Sequence, residues 1–412
     1  MFLARKTPSR LPVLLLGGLN ILRTLGMARI PAILASPRPD DVAAASRHCA
    51  GFFVLPPLER RAAVLEALLG AGEHLLATYG VPLPLLYSND DYQAIVQDER
   101  ERLAPYFRLL LNDAHVAQEL LDKERFDAFA ATRGLPVPRQ LDWDALADFD
   151  GMVLVKPKTR IGWDDSPVYR RLFSGEGKAR VFAGARELLA DPVAAQLRHQ
   201  LALQEYVAGD DRALWSFHGF ADERSRVLAW FIGRKLRTSP PRTGFSSFIE
   251  LAHDGALADI GHDIVARVPL KGVFKLDFKR DAASGRWRLL EINARYNLWH
   301  YPAACNGLNL PQIAYDYLVH GRRPAQPPPY RTTFRWLCWR LDLRAFRALR
   351  ARGELGVAAW LWSLAQAPYV CELFAWSDPL PFGRFLLRKL RRVPHFTSSL
   401  TERFWRWLST AS

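Results

Sequence analysis

The segments Phe274-Lys-Leu-Asp-Phe-Lys-Arg-Asp281 and Trp287-Arg-Leu-Leu-Glu-Ile-Asn-Ala-Arg295 decide the fold of this chain. Apolar and polar residues alternate in both, which predicts two antiparallel strands joined by a turn around Ser284. Folding the strands about that turn places Asp277 directly opposite Glu291. The residues expected to point the other way, into a core, are Leu276, Phe278, Leu290 and Ile292.

Asn293 lies two residues beyond Glu291, so it shares the face that carries Asp277. Two carboxylates and an amide oxygen therefore cluster above an apolar layer. Mg²⁺ prefers such oxygen ligands and completes its octahedron with phosphate oxygens and water. The alternative is a salt-bridged sheet face, because Lys275 and Lys279 flank Asp277. We favour the metal site.

Two upstream segments carry weaker signals. Lys156 ends the apolar strand Met152–Lys156, where a lysine can hold a phosphate as a point charge, although many such lysines are simply solvated. The segment from Gln204 to Asp211 predicts a strand that ends in a glycine turn, which can offer backbone groups to adenine and a carboxylate to ribose. Taken alone, that segment reads as an ordinary strand end.

The order of these signals resembles the ATP-grasp superfamily, the fold shared by biotin carboxylase, D-alanine–D-alanine ligase and D-aspartate ligase. The resemblance covers residues 11–322, and its most specific piece is Glu291-Ile-Asn-Ala-Arg295. It implies an α/β architecture with a Rossmann-like domain over residues 1–111. A two-lobed α+β ATP-grasp domain over residues 112–322 and a mainly helical extension over residues 323–412 would follow.

The resemblance also implies roles for residues at matching positions. ATP would bind between the lobes, with one or two Mg²⁺ (or Mn²⁺) ions. The implied assignments are Lys123 and Lys156 to phosphates; Gln204, Glu205 and Val207 to adenine; Asp211 to ribose; Asp277, Glu291 and Asn293 to metal; and Arg295 to the charge that develops during transfer.

The basic stretch from Arg234 to Ser247 resembles a loop of carboxylate–amine ligases that faces the γ-phosphate or the substrate carboxylate. The residues expected there are Lys235, Arg237, Ser246 and Ser247. The alternative is a basic surface hairpin. The segment Lys158–Gly177 is expected to close over the site. It is poor in glycine, so Lys158 and Arg160 are expected to replace backbone NH groups as phosphate donors.

The implied activity is ligation: ATP phosphorylates a carboxylate, and an amine attacks the acyl phosphate. The expected partners are a small-molecule carboxylate and a small-molecule amine. Two alternatives remain open. One is an ATP-grasp enzyme with a thiol or hydroxyl acceptor, and the other is a non-catalytic ATP-binding protein at a membrane surface.

The N-terminal third predicts further α/β structure. Short apolar runs at Leu11–Leu16 and Pro31–Ser36 are separated by a helical pattern from Asn20 to Met27, which predicts a parallel sheet. The Gly17-Gly18 pair lacks the spacing of a nucleotide fingerprint. Single helices are expected over Tyr92–Tyr106 and Asn112–Arg133.

The composition bounds the class of protein. With 412 residues, 49% of them hydrophobic, the chain is long enough for two or three domains. The four cysteines are scattered and form no CxxC pair, which argues against a disulfide framework or zinc site and favours the cytoplasm. The net charge of +14 predicts an acidic partner such as a nucleotide or an anionic membrane.

Residues 331–412 hold 14 Lys and Arg against 5 Asp and Glu, a net charge of +9, together with seven tryptophans. Cationic side chains beside Trp and Leu suit the inner face of an anionic membrane. The alternative is a helical lid or an element of a homodimer with buried tryptophans. No nucleic-acid partner is expected, since the sequence contains no recognised nucleic-acid motif.

Overall fold

The computed structural model describes residues 2–4, 10–158, 171–173 and 179–390, without the side chains of residues 2–4, 123 and 124. The first part of the chain forms a six-stranded sheet in the order β1-β4-β3-β2-β5-β6. Its elements are β1 (Phe2–Ala4), β2 (Val13–Leu16), α1 (Leu19–Met27), β3 (Ala32–Ser36), β4 (Cys49–Val54), α2 (Arg61–Tyr79), β5 (Leu83–Tyr87), α3 (Asp90–Asp98), α4 (Arg100–Leu103) and β6 (Phe107–Arg108).

This sheet confirms the predicted strand–helix–strand start. Strands β2 to β6 run parallel, and β1 pairs antiparallel with β4 at the edge. Strands β2, β3 and β5 are buried along their whole length, because a parallel sheet is covered on both faces. The single helix expected over Tyr92–Tyr106 is wrong: α3 ends before Glu99, whose backbone conformation lies outside the helical region, and α4 follows it.

The middle of the chain forms a four-stranded antiparallel sheet in the order β7-β10-β8-β9. Its elements are α5 (Ala114–Leu121), α6 (Lys123–Thr132), β7 (Gln140–Leu141), β8 (Val153–Pro157), β9 (Arg180–Phe182), α7 (Ala185–Ala190), α8 (Pro192–Gln196) and β10 (Leu201–Glu205). The helix expected over Asn112–Arg133 is also wrong as a single element, because Asp122 is extended, with φ −104° and ψ 131°, and separates α5 from α6.

A seven-stranded sheet follows, in the order β15-β14-β11-β12-β13-β16-β17. The elements up to residue 320 are β11 (Leu214–Ala221), β12 (Val227–Ser239), β13 (Phe245–Ala252), α9 (Gly255–Arg267), β14 (Gly272–Arg280), β15 (Trp287–Asn293), α10 (His300–Cys305) and α11 (Leu310–His320). Beyond them lie β16 (Arg335–Leu337), α12 (Trp339–Ala351), α13 (Val357–Ala365), β17 (Tyr369–Cys371) and α14 (Leu380–Leu390).

The C-terminal extension is helical as expected, but it is also part of the main sheet. Strand β16 pairs with β13, and β17 pairs in parallel with β16. Arg23 of α1 forms a buried ion pair with Asp378, with 3.1 Å between Nε and Oδ2, so the extension also contacts the first sheet. Within the described residues, no helix is long and apolar enough to cross a bilayer.

The hairpin of β14 and β15 has the predicted pairing of Asp277 with Glu291. A register shift of the kind that a β-bulge produces follows immediately, so Phe278 pairs with Leu289. The expectation that Leu290 points into the core is therefore wrong: Leu289 is buried there instead, in the same apolar cluster as Leu276, Phe278 and Ile292.

Candidate active site

Asp277 lies on β14 between β11 and β15, and three side chains hold its carboxylate. Ser216 Oγ donates a hydrogen bond to Oδ1 at 2.6 Å, and Asn293 Nδ2 donates one to Oδ2 at 3.2 Å. Lys275 Nζ lies 2.7 Å from Oδ2. These contacts fix a nearly buried carboxylate in one orientation, with its negative charge balanced by a lysine.

Arg295 connects this cluster to the first sheet. Its guanidinium forms a close ion pair with Asp90 at the start of α3, and its Nη2 donates to Asn293 Oδ1 at 3.2 Å. Burial alone would lower the pKa of Arg295, but Asp90, Glu291 and Asp277 together raise it. Arg295 is therefore a fixed positive charge beside Asn293.

Lys156 and Gln204 face this cluster from the four-stranded sheet. Both line one cleft, partly open to solvent, together with Asp277 and Glu291. Lys156 Nζ lies 3.5 Å from Gln204 Oε1, on neighbouring strands β8 and β10. Side chains that are far apart in sequence thus line one cleft between two sheets.

Lys235 of β12 also lines this cleft. Burial lowers the pKa of its ammonium group, while the nearby carboxylates of Asp277 and Glu291 act in the opposite direction. The structure therefore brings together Lys156, Lys235, Gln204, Asp277 and Glu291, five of the residues selected from the sequence. Asn293 and Arg295 adjoin them through the hydrogen bonds above.

Three leucines in the cleft were missed by the sequence reasoning. Leu154, Leu214 and Leu290 come from β8, β11 and β15 and form an apolar part of the lining. The positions of Leu154 and Leu214 in the cleft could be predicted from strand alternation. Leu154 lies two residues before Lys156, and Leu214 lies two residues before Ser216, which pairs with Asp277. Leu290 could not be found that way, because the register shift beside Asp277 turns it towards the cleft.

Asp211 holds a turn at the edge of the cleft. Its carboxylate accepts hydrogen bonds from Thr238 N, Thr238 Oγ1 and Arg242 N, each at 2.7 Å. Burial raises the pKa of Asp211, and these hydrogen bonds oppose that shift. The carboxylate expected to bind ribose instead organises the turn between β12 and β13, whose residues Arg242–Gly244 line the cleft.

Arg237 and Ser247 face away from the cleft, against the expectation that they contact phosphate or substrate. Arg237 forms a two-pronged ion pair with Asp342 of α12, at 2.7 Å and 3.0 Å, and Ser363 Oγ lies 2.8 Å from its Nη1. Ser247 Oγ donates to the same aspartate at 3.3 Å. These two residues attach the C-terminal extension to the sheet.

The remaining expected residues lie elsewhere or are not described. Glu205 and Val207 are absent from the described lining of the cleft, and Glu205 N donates to Arg139 O at the end of β10. Lys158 lines a separate cavity with Gln140 and Asp142. The side chain of Lys123, and most of the segment expected to close over the site, lie outside the described residues.

Two buried histidines lie behind the cluster. His218 and His300 are fully enclosed, 6.1 Å apart between ring centroids, and the described residues provide no hydrogen-bond partner for their ring nitrogens. Burial and the nearby Lys275 lower the pKa of His300 to about 3. His300 is therefore neutral at physiological pH.

Among the described residues, no group of three or more His, Cys, Asp and Glu side chains could hold a metal. The candidate cation site depends instead on two carboxylates, Asp277 and Glu291; the amide of Asn293 adjoins them, with its oxygen accepting a hydrogen bond from Arg295. Such a donor set leaves several coordination positions for oxygens from outside the protein, which suits Mg²⁺.

The chain matches a D-aspartate ligase of Enterococcus faecium (strain Aus0004) with 21% identity over 284 residues. The match covers 65% of this chain and 66% of the ligase, so slightly less than two thirds of that relative is spanned. No family model matches the chain.

Solved structures are similar over more of the chain. The biotin carboxylase of Campylobacter jejuni superposes with a TM-score of 0.57 at 12% identity, covering 79% of this chain and 74% of its own. An L-amino acid ligase of Bacillus licheniformis gives 0.54 at 12% identity, with 76% and 75% covered. The N5-carboxyaminoimidazole synthetase of Staphylococcus aureus gives 0.55 at 11% identity, with 78% and 81% covered. The chain is therefore similar in fold to these three enzymes, and the α/β fold predicted from the order of its motifs is confirmed.

Proposed function

We propose that this protein is an ATP- and Mg²⁺-dependent ligase that phosphorylates a carboxylate and couples the acyl group to an amine. The observation that carries the proposal is the cleft between two sheets, where Asp277 and Glu291 face Lys156 and share the lining with Lys235. Acidic and basic side chains that face each other in this way suit a metal-bound polyphosphate. The carboxylates can bind the metal cation, and the lysines can bind the phosphates.

The residues present fit a magnesium ion. Asp277 and Glu291 are paired across β14 and β15, and Asn293 contacts Asp277 from the same strand as Glu291. When bound there, Mg²⁺ would neutralise phosphate oxygens and make the terminal phosphorus more electrophilic. Ser216 and Lys275 hold the Asp277 carboxylate in place, so its orientation does not have to be established on binding.

The apolar lining fits a nucleotide base. Leu154 and Leu214 belong to different sheets, and Leu290 adds a third side chain. Apolar pockets with a few placed polar groups are typical of cofactor sites. The polar group here is Gln204, which is buried beside Lys156.

The chemistry needs positioning more than covalent participation by the protein. A substrate carboxylate oxygen attacks the γ-phosphorus, and ADP leaves. The amine then attacks the acyl carbon, phosphate leaves, and the amine loses a proton. Lys156 and Lys235 offset the negative charge on the phosphates, and Arg295 adds a fixed positive charge beside the metal ligands.

Two relatives support a proposal about the substrate class. A D-aspartate ligase is similar in sequence, and an L-amino acid ligase is similar in fold. We therefore infer that at least one substrate is an amino acid, which supplies the carboxylate or the amine. A cytoplasmic location is part of the proposal, because ATP is available there and all four cysteines are free thiols.

The test is ADP release from MgATP with pairs of amino acids and small carboxylates. We expect one pair to stimulate release, and Glu291→Ala to reduce that rate by about 100-fold or more, because a metal ligand is lost. Asp263→Ala, on the exposed surface of α9, is the matched control and should retain activity.

Three other outcomes would contradict parts of the proposal. ATP binding without release for any pair would favour a binding protein. Release stimulated by a thiol or alcohol but not by an amine would change the acceptor class. Full activity in Glu291→Ala would remove the metal assignment.

A further inference from the structure

Helix α14 presents an apolar face to solvent. At 100° per residue, its four exposed leucines fall within a sector of about 120°. Their exposed fractions are 61% for Leu380, 44% for Leu386, 59% for Leu387 and 46% for Leu390. We call these four residues the leucine face. A helix that packs on a globular body normally turns its apolar residues towards that body, whereas the leucine face points to solvent.

The basic side of α14 is the side that packs on the protein. Arg388 Nη1 lies 3.5 Å from Asp40 Oδ2, and Arg384 Nη2 donates to Pro39 O at 3.4 Å. Phe385, between them in sequence, lies 5.5 Å below the guanidinium of Arg340 from α12. The helix is therefore attached through its charged side, and the outward direction of the leucine face is set by these contacts.

A tryptophan lies beside the start of this helix. Trp376 is 90% exposed, and the ring of Phe374 lies 4.8 Å from it. Phe374 also packs against Phe382 of α14, at 5.5 Å between ring centroids. Trp376 is thus connected to α14 through Phe374 and exposes a side chain that has an apolar ring and a polar NH group.

The extension that carries the leucine face is cationic. Residues 331–390 contain 10 Lys and Arg against 4 Asp and Glu. Two of the acidic residues, Asp342 and Asp378, are fully buried in ion pairs with arginines of the protein body. Glu354 and Glu372 face Arg242 and Arg340. The negative charge of the extension is therefore largely neutralised internally, while Lys389 remains exposed at the edge of the leucine face.

We propose that the leucine face and Trp376 dock into the headgroup region of an anionic phospholipid bilayer. Leucines would enter the acyl boundary, tryptophan suits the interface, and Lys389 together with the net positive charge of the extension would attract anionic lipids. A neutral protein partner could cover the leucine face, but its binding would not use the positive charge of the extension. This proposal goes beyond ligase activity and does not depend on it.

The test is co-sedimentation of the full chain with phosphatidylcholine vesicles prepared with and without phosphatidylglycerol. We expect binding to the anionic vesicles only, weakened by high salt. Leu387→Gln/Leu390→Gln should reduce partitioning by about tenfold or more, because two half-exposed leucines lose their burial in lipid. Leu189→Gln/Val81→Gln, at exposed apolar positions elsewhere, is the control and should bind normally.

Thermal unfolding of each variant separates lost docking from lost folding. The proposal is overturned if the chain ignores anionic vesicles, or if both double variants weaken binding equally. It is also overturned if only deletion of residues 391–412 abolishes binding while the Leu387/Leu390 variant binds normally. A dimer that disappears in that variant, without any vesicle binding, would assign the leucine face to a second copy of the chain.

Discussion

Two aspartates near the cleft show how hydrogen bonding decides the use of a carboxylate. Asp277 is held by three side chains and still lines the cleft. Asp211, in contrast, accepts its hydrogen bonds from the residues of one turn. A carboxylate that receives backbone NH groups is committed to local structure, because releasing them leaves buried donors unpaired. The sequence motif alone does not distinguish the two cases.

Asp211→Asn should therefore lower the stability of the folded protein, and its effect should not be confined to the affinity for nucleotide. We expect a loss of about 1–3 kcal/mol in the free energy of unfolding, since charge-assisted hydrogen bonds to Thr238 and Arg242 are weakened. Urea unfolding measures this loss. Unchanged stability with a raised KM for ATP would instead support the original assignment of Asp211 to ribose.

At the scale of elements, register shifts between strands account for two differences between prediction and structure, at Arg237 and at Leu290. Residues two apart in a regular strand share a face, so Arg237 would lie on the same side as Lys235 if β12 were regular. The pairing of β12 with β13 shifts between these residues, so Lys235 points to the cleft and Arg237 to the C-terminal extension. The shift at Asp277 likewise exchanges Leu289 and Leu290 between core and cleft.

The pair of Arg237 and Asp342 predicts a large stability effect. Asp342→Asn leaves a buried guanidinium without its counter-charge and should cost about 3–5 kcal/mol of unfolding free energy. Arg237→Met/Asp342→Leu should recover most of that loss, because the uncompensated charge is gone. Urea unfolding of the wild type, of Asp342→Asn and of the double variant checks this. Equal losses in the single and double variants would show that the charge is not the cause.

At the scale of the whole molecule, the cleft lies between two sheets, so a ligand bound there would be contacted from both sides. Lys156 and Gln204 come from one sheet, and Asp277 and Glu291 from the other. A ligand that bridges both binds only the folded arrangement, so its binding free energy adds to stability.

MgATP should therefore raise the unfolding temperature. At a concentration of about 100 times Kd the gain is about 2.7 kcal/mol. Thermal unfolding with ATP, with and without Mg²⁺, measures the effect in wild type and in Glu291→Ala. We expect the magnesium-dependent part to vanish in the variant and to persist in Asp263→Ala. A shift that is independent of both Mg²⁺ and Glu291 would contradict the cation site.

The sequence by itself determined the parallel start of the fold, the hairpin that pairs Asp277 with Glu291, and the lysine at the end of β8. These features follow from apolar runs and from the two-residue period of a strand, which are local properties. Only the tertiary structure decided that Arg295 pairs with Asp90, Arg237 with Asp342 and Arg23 with Asp378, at separations of 205, 105 and 355 residues. Local periodicity carries no information about partners at such distances, and a single register shift reverses the face of every residue that follows it.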